Sequence, residues 1–537
     1  MTGREQDITK SILILGNGPY SLKVAHEVAA LGYTVTLAVQ NTIEFTPTGN
    51  QKPVFELLMP AILLDFGGEP GGFRTVFGLG DGRSQVQKPF GCIVIAMECL
   101  WHSVIQAWGV TEEGSILNFS QVSSDPTRFT DQLGPEDKVV FLCGFVHNSH
   151  PFVQERIVKT AKAIKEQAGS SVYVLTEHFK VAYEGLERII RQAREAGVIF
   201  VKFSSSRPEL EARDESILIA YYDEALGAKV HMSANLVIVE EGAYPAEESG
   251  EISRVLGVSL DKQGFFQGDF IHNLPIFTNR TGIFVVGSGK GPISDAQADV
   301  EAKAVALEIA KLFDGYQKAT CQPTVSLDKK KCTICLTCYR LCPHRAISYK
   351  NRRPEFSSLA CRQCGICVAV CPMNAIELGE YNREAILANV KEAAARHGDG
   401  GERGLPRFLI LACQNSAYDA YILAKKRDLP LQAEVSVVKI PCGGRVELEM
   451  VIKAFAYGAD CVMVLTCHHD SCKSFDGSME CEQKVKALQE MLKEMGIDEA
   501  RLVFGTLAPG SAMEFAQLIN DVAKRFMKQD PRVNLAV

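Results

Sequence analysis

Two runs of cysteine carry the clearest chemistry in the chain. Cys332, Cys335, Cys338 and Cys342, with Pro343 behind them, follow the spacing C-x2-C-x2-C-x3-C-P, and Cys361, Cys364, Cys367 and Cys371, with Pro372 behind them, repeat it. Thiolates are soft ligands, and such short intervals let three sulfurs of one loop converge on one small body, which suits an iron–sulfur cube. The last cysteine of each run then crosses to the other centre. One 4Fe-4S cluster is therefore expected on Cys332, Cys335, Cys338 and Cys371, and a second on Cys361, Cys364, Cys367 and Cys342. A pair of structural zinc sites is the alternative, but these normally use paired CxxC units across a longer loop. Each run is followed by a short apolar strand signal, Ala346-Ile347-Ser348 and Ala375-Ile376-Glu377. Residues 322–380 thus read as an α+β, bacterial-type two-cluster ferredoxin module, a wire for electrons and not a centre of acid–base catalysis; no catalytic residue can be named from these motifs.

A second chemistry is written near the start. Gly16-x-Gly18-Pro19-Tyr20-Ser21 follows an apolar run and precedes a helical pattern, close to the GxGxxG fingerprint in which helix N-terminal amides receive a pyrophosphate. Ser21 stands in place of the third glycine. Gln40 takes the position where an acidic residue would hold ribose hydroxyls, and its amide can still hydrogen-bond one. A fold that keeps this shape without a ligand is the plainer reading. The distant segment Thr281 to Pro292, with Gly287, Ser288, Gly291 and Pro292, resembles the second flavin motif of flavoproteins with two dinucleotide-binding domains, and together the two motifs favour FAD over free NAD. The turn from Cys143 to Asn148 lacks a glycine fingerprint, so NADH is not expected there.

The elements that position these residues read as α/β throughout. Ser11 to Leu15, the helix through Val24 and Val28, and Val35 to Val39 form an opening βαβ, with Gly91 to Ala96 as another buried strand. Lys138 to Gly144, a helix from about Val153 to Gln167, Ser171 to Thr176, a helix over Tyr183 to Ala196 and Val198 to Phe203 form a second unit inserted in the first. A strand at Asn235 to Glu240, another at Gly282 to Val286 and a helix from about Ser294 to Phe313 finish the first. The expected units are 1–137 and 235–316 for a Rossmann-like FAD-binding domain, 138–234 for a degenerate NAD-like insert, 322–380 for the ferredoxin module and 405–530 for a further α/β domain beyond a Gly/Arg-rich linker, His397 to Pro406. The doubled cysteine motif is the one internal repeat that is visible.

At 537 residues the chain is too long for one core, and its 46% hydrophobic and 23% charged residues are those of a globular multidomain protein. A net charge of -7 gives no field for nucleic acid. The runs Lys329-Lys330-Lys331 and Arg352-Arg353 are solvated turn residues or a docking patch for an acidic partner. Met1 to Lys10 lacks the layout of a secretory signal, and no run reaches the roughly 18 apolar residues that a membrane span needs. A cytoplasmic protein, reaching a membrane only through a partner, is expected. The 18 cysteines then point to metal ligation rather than a disulfide framework.

Taken with these motifs, the stretches SVYVLTEHFK, EAGVIFVKF, NLVIVEEG, VLGVSLDKQGFF and GIFVVGSGKGP resemble the A subunit of heterodisulfide reductase and its relatives, among them the flavin subunits of the quinone-interacting membrane-bound oxidoreductase of sulfate reducers. Residues 407–527, through IPCGGRV, KAFAYGAD and Cys467-His468-His469-Asp470-Ser471-Cys472, look like the delta subunit of methyl-viologen-reducing hydrogenase. That resemblance implies a 2Fe-2S cluster on Cys413, Cys442, Cys467 and Cys472, with buried structural thiols as the alternative because Ser416 replaces a cysteine that relatives carry. Cys461 reads as core, and His468 and His469 as loop or surface. The order of modules is most similar to the B subunit of the quinone-interacting complex.

The resemblance implies an oxidoreductase subunit that passes electrons between a redox partner and a quinone- or disulfide-linked module. Implied partners are a second heterodisulfide reductase A-like flavoprotein, heterodisulfide reductase B-, C- or E-like subunits, adenylylsulfate reductase or a hydrogenase. A bifurcating relay of a hydrogenase-linked heterodisulfide reductase or a benzoyl-coenzyme A reductase, and a scaffold carrying only the ferredoxin wire, are alternatives. Two departures stand out: His147 to Pro151 holds no cysteine where the heterodisulfide reductase protein has a cysteine-rich loop, and Ala96-Met97-Glu98 replaces the usual ATG, which places a carboxylate near the cofactor.

Overall fold

The computed structural model describes residues 9–40, 55–80, 84–110, 114–124, 126–144, 149–181, 185–202, 207–213, 216–223, 226–268, 274–318, 325–395 and 405–529. The expected linker over 397–406 lies outside them except for its last two residues. The first unit opens with β1 (Ser11–Leu15), α1 (Pro19–Ala30), β2 (Thr34–Ala38) and β3 (Glu56–Leu58), then an antiparallel meander of β4 (Ala61–Glu69), β5 (Gly72–Leu79) and β6 (Ser84–Phe90), then β7 (Cys92–Ile95). The second holds β8 (Ile116–Asn118), β9 (Lys138–Cys143), α2 (Pro151–Ala168), β10 (Ser171–Thr176) and β11 (Ile199–Lys202), its own meander of β12 (Glu209–Arg213), β13 (Ser216–Asp223) and β14 (Ala228–Ala234), and β15 (Leu236–Val239). The chain returns to the first unit in β16 (Ile283–Val285) and α3 (Asp295–Lys318).

The units are built alike. The first sheet runs β16-β7-β1-β2-β3 and the second β8-β15-β9-β10-β11, with parallel pairing throughout. This doubled Rossmann-like architecture is an internal repeat beyond the cysteine motif. It leaves no trace in residue identity because a parallel strand covered on both faces requires only an apolar run. The second sheet also takes in β8 and β15, which lie outside 138–234. All four residues of β15 are buried, and it pairs with β9 from Val139 opposite Leu236 onward, so this strand belongs to the insert's sheet and not to the FAD unit.

Alternation along β1 builds two cores. Ile12 and Ile14 pack with Val24 and Val28 of α1 and Val305 and Ile309 of α3, whereas Leu13, Ile93 and Ile95 pack beneath Phe73, Phe77 and Phe90 of the meander. Each such side chain contributes about 1.5–3 kcal/mol by leaving water.

The ferredoxin module is two hairpin-like pairs, Val325–Leu327 with Ile376–Leu378 and Ile347–Lys350 with Arg353–Phe356. Behind it lies a four-stranded parallel sheet of β17 (Arg407–Cys413), β18 (Glu434–Ile440), β19 (Cys461–Thr466) and β20 (Leu502–Thr506), in the order β18-β17-β19-β20. Of these, β17 and β19 are buried along almost their whole length, whereas β18 and β20 are largely half-exposed.

Candidate redox centres

The two cysteine loops repeat a backbone pattern as well as a spacing. Left-handed residues recur in pairs 29 positions apart: Ile334 and Gln363, Leu336 and Gly365, Arg345 and Asn374. Only one of the six is glycine, and a β-branched residue such as Ile334 at φ 59 is costly, of order 1–3 kcal/mol. Turns of this kind aim successive amides inward and suit a polynuclear anion. The last sulfur of each loop accepts a backbone hydrogen bond, Cys342 Sγ from Ala346 N at 3.4 Å and Cys371 Sγ from Ala375 N at 3.3 Å.

The sulfurs fall into two groups. Cys332, Cys335, Cys338 and Cys371 line one cavity, roofed by Ile334, Leu336 and Met373. Cys338 feels the charges of Cys335, Cys371 and Cys332, whereas Cys367 feels chiefly Cys364, Cys342 and Cys361. The sets differ in surroundings. In the outer one Cys335 is exposed, and a hydrogen bond from Thr337 lowers its pKa. In the inner one burial pushes Cys364 up to about 12 and raises Cys342, Cys361 and Cys367. Among the described residues no three His, Cys, Asp or Glu side chains are grouped to hold a single metal ion.

The inner set sits where three units meet. Arg362 Nη2 donates to Thr278 O of the first unit at 3.4 Å, and Ile366, between Cys364 and Cys367, presses against Gly444 and Gly477 of the C-terminal domain. A Cβ on Gly444 would lie 2.6 Å from Ile366 Cγ1, and one on Gly477 would lie 2.7 Å from Cys442 Sγ. Arg445 locks this contact. It is fully buried, pairs with Glu447, and lies so close to Gly365 that a Cβ there would be 2.6 Å from its Cδ. His344, directly behind Cys342-Pro343, is buried edge-on to Phe475 with neither ring nitrogen hydrogen-bonded, and burial pushes its pKa down to about 3.

The C-terminal thiols meet at the carboxyl ends of three strands. Cys413 closes β17, Cys442 lies two residues beyond β18 and Cys467 one beyond β19, and Cys472 follows in the same loop. All four are buried, with Cys413 and Cys467 sulfurs 3.7 Å apart. Mutual hydrogen bonding lowers Cys413 and Cys472 and raises Cys442 and Cys467. Cys461 lies in the core of β19, His468 bonds Thr506 and His469 bonds Ser478 and Glu482, so these three stand apart from the thiol group.

The residues expected to hold FAD also converge. The Tyr20 ring lies on Gly287 (φ +75), where a Cβ would meet Tyr20 Cδ2 at 2.9 Å; burial, then Glu98, push its phenol up to about 12. Ser288 Oγ accepts from Cys99 N, and Gly291 N from the same turn, which runs on into Pro292, donates to Ser288 O. Gly16, Asn17 and Gln40 line a small cavity with Leu63 and Ile252, and Asn17 Oδ1 is buried there without a hydrogen-bond partner. Ser21 fits the third glycine position by donating to Gly18 O at 2.6 Å. One residue does not fit. Glu98 Oε1 accepts from Tyr20 N at 3.2 Å, and a Cβ on Gly18 would lie 2.3 Å from that same oxygen, so a carboxylate lies where a pyrophosphate would. In the second unit Gly144 N donates to Glu240 Oε2 at 2.7 Å; residues 145–148 of that turn lie outside the described ones.

Comparison with known proteins follows this division. Residues 324–380 match the 4Fe-4S dicluster domain, and residues 408–528 match the methyl-viologen-reducing hydrogenase, delta subunit. The A subunit of the ferredoxin:CoB-CoM heterodisulfide reductase of Methanosarcina mazei is 24% identical over 409 residues, which cover 76% of this chain and 50% of that protein. Over three quarters of its length the chain is similar to the A subunit of heterodisulfide reductase. It spans about half the length of the curated A subunits that it matches first. The iron-sulfur D subunit of the F420-non-reducing hydrogenase of Archaeoglobus profundus is 29% identical over 126 residues, 24% of this chain and 92% of that protein. The thioredoxin reductase of T. acidophilum covers 56% of this chain and 98% of its own at 13% identity and a TM-score of 0.36.

Three residues near the candidate centres carry no signal in the sequence. Arg445 and His344 look like ordinary surface residues until the domains are docked. Cys481, buried against Gly443, carries no spacing signal because it lies on a helix, Gly477–Glu494.

Proposed function

We propose that the chain is the iron–sulfur relay of a heterodisulfide-reductase-like oxidoreductase complex, with one 4Fe-4S cluster on Cys332, Cys335, Cys338 and Cys371 and one on Cys361, Cys364, Cys367 and Cys342. The observation that carries this reading is the paired-loop geometry, whose inner loop packs through Ile366 onto Gly477, the glycine that Cys442 also touches. Electrons then enter or leave at the outer set, beside exposed Cys335, and cross the inner set toward Cys413, Cys442, Cys467 and Cys472, the ligands of a 2Fe-2S cluster in this reading. FAD, held in the first unit by Gly16, Gly18, Pro19, Tyr20, Ser21, Gln40 and the Gly287 to Pro292 turn, would supply conversion between electron pairs and single electrons when bound.

The fusion supports the choice of partners. Its two parts resemble an A subunit of heterodisulfide reductase and a D subunit of a hydrogenase, which occur as separate proteins. The donor and acceptor are accordingly other chains: a second A-like flavoprotein, B-, C- or E-like subunits, adenylylsulfate reductase or a hydrogenase, with a quinone or a disulfide as the terminal couple. No helix among the described residues is long and apolar enough to cross a membrane. The reading is of a cytoplasmic subunit that meets the membrane through a partner.

A second reading, a scaffold whose nucleotide folds carry no cofactor, is favoured by Glu98 alone. Anaerobic isolation of the native complex, with identification of its subunits and assay of iron, sulfide and FAD, separates them. About eight irons in the paired loops together with FAD supports the relay with its flavin, about eight without flavin supports the scaffold, and absence of iron–sulfur absorption overturns both.

A further inference from the structure

The two nucleotide folds share a device that the repeat exposes. In each, a glutamate just beyond the strand that follows the meander reaches across to the turn after the neighbouring strand, β1 in the first unit and β9 in the second. Glu98, three residues past β7, accepts from Tyr20 N in the first turn of α1, a twelve-residue helix whose N-cap, Gly18, offers no side-chain acceptor. Glu240, directly after β15, accepts from Gly144 N at 2.7 Å and from Ser149 Oγ at 2.6 Å ahead of α2. The free amides and dipole of a helix start are an anion seat, and in the dinucleotide folds this seat takes the pyrophosphate. In the first fold that seat is filled by the chain's own carboxylate; in the second, Glu240 holds the turn ahead of α2, whose own first turn is capped by His150.

The two glutamates are not equivalent. Glu240 is buried, 3% exposed, and held by two short hydrogen bonds. Glu98 is half-buried and has one hydrogen bond to the seat, at 3.2 Å. Its aliphatic stem lies flat on Gly18, with an ideal Cβ there 2.4 Å from Glu98 Cγ, so it is this glutamate that demands a glycine at 18 in the present conformation. Next to it, the buried Asn17 Oδ1 lacks a partner at the wall of the cavity shared with Gln40. The seat of the first unit is thus filled loosely beside an acceptor that is still unsatisfied, whereas in the second unit Glu240 ties the turn ahead of α2 tightly.

We propose that Glu98 is a built-in competitor for the pyrophosphate of the dinucleotide, holding the anion seat of α1 until the cofactor displaces it; Glu240, which ties the turn ahead of α2, has no such role. The proposal rests on the reading that FAD is the ligand of the first unit. Glu98 acts as a specificity-determining residue: it weakens FAD binding, so that the chain exchanges its flavin.

FAD titrated into the anaerobically purified full-length chain, followed by quenching of flavin fluorescence, tests this. Removing the competing charge in Glu98→Ala tightens FAD binding about tenfold, the size of one anion–helix interaction in a favourable site. Glu98→Gln, which keeps the bulk and one accepting oxygen, tightens it by less, and Glu240→Ala leaves FAD affinity at the wild-type value. A damaged fold would weaken binding, so a gain is not a by-product of destabilisation. If Glu98→Ala does not fold, Glu98→Gln alone decides. Tight FAD binding that is equal in wild type and the Glu98 variants overturns the competitor and leaves the FAD reading standing. No FAD binding by any of them overturns both.

Discussion

The eight cysteines of the paired loops fall between 332 and 371, each loop bending its sulfurs inward through its own left-handed residues, and the outer set opens to solvent at Cys335. The four of the C-terminal group are spread from 413 to 472, and they meet only because β17, β18 and β19 end together. One site is made by local backbone, the other by a sheet. The difference teaches where each is vulnerable: the loops depend on single residues of unusual conformation, whereas the C-terminal group depends on the packing that keeps the strand ends in register.

The largest expected effect lies at the seam between them. Cys367→Ala removes a sulfur of the inner set, and iron assayed after anaerobic purification falls from about eight to about four in the paired loops; an unchanged iron content there would break the distinction between two independent sets. Arg445→Ala comes next. It removes one of the two guanidiniums that hold Glu447, the other being Arg383, and empties the space against Gly365, so the stability of the C-terminal domain, followed by urea denaturation, drops by about 2–4 kcal/mol. A smaller loss, about 1–3 kcal/mol, is expected for Gly365→Ala, which places a side chain at φ +79 and against Arg445. Its counterpart Leu336→Gly goes the other way, gaining up to about 1 kcal/mol by relieving a left-handed leucine. Denaturation curves that shift alike for both would show that the loops are not equivalent in backbone. The smallest effect on the wire is that of Cys442→Ser. It abolishes the signal of a 2Fe-2S centre while the low-temperature EPR spectra of the paired-loop clusters stay as they are.

What was legible followed the same division. C-x2-C-x2-C-x3-C-P names its candidate ligands by spacing alone, and in the structure Cys371 lies with Cys332, Cys335 and Cys338 while Cys342 lies with Cys361, Cys364 and Cys367. Fully buried parallel strands such as Ile12 to Leu15 and Val139 to Cys143 were readable as apolar runs. The meanders β4 to β6 and β12 to β14 were not, because half their residues face solvent and their pattern is broken by polar and glycine positions. Membership of β15 in the second sheet depends on pairing across nearly a hundred residues, which no local pattern records. Glu98 was visible as a carboxylate near the nucleotide turn; that it rests on Gly18 and accepts from Tyr20 N required the backbone of β7 and α1 together.

The central claim is that the paired loops hold two neighbouring cubane clusters that act as one wire. Stepwise reduction of the anaerobically purified chain, monitored by EPR, addresses it directly. The account predicts a simple reduced-cluster signal at partial reduction that becomes broadened by magnetic coupling when both clusters are reduced; a single uncoupled cluster, or no iron–sulfur signal at any potential, would contradict it.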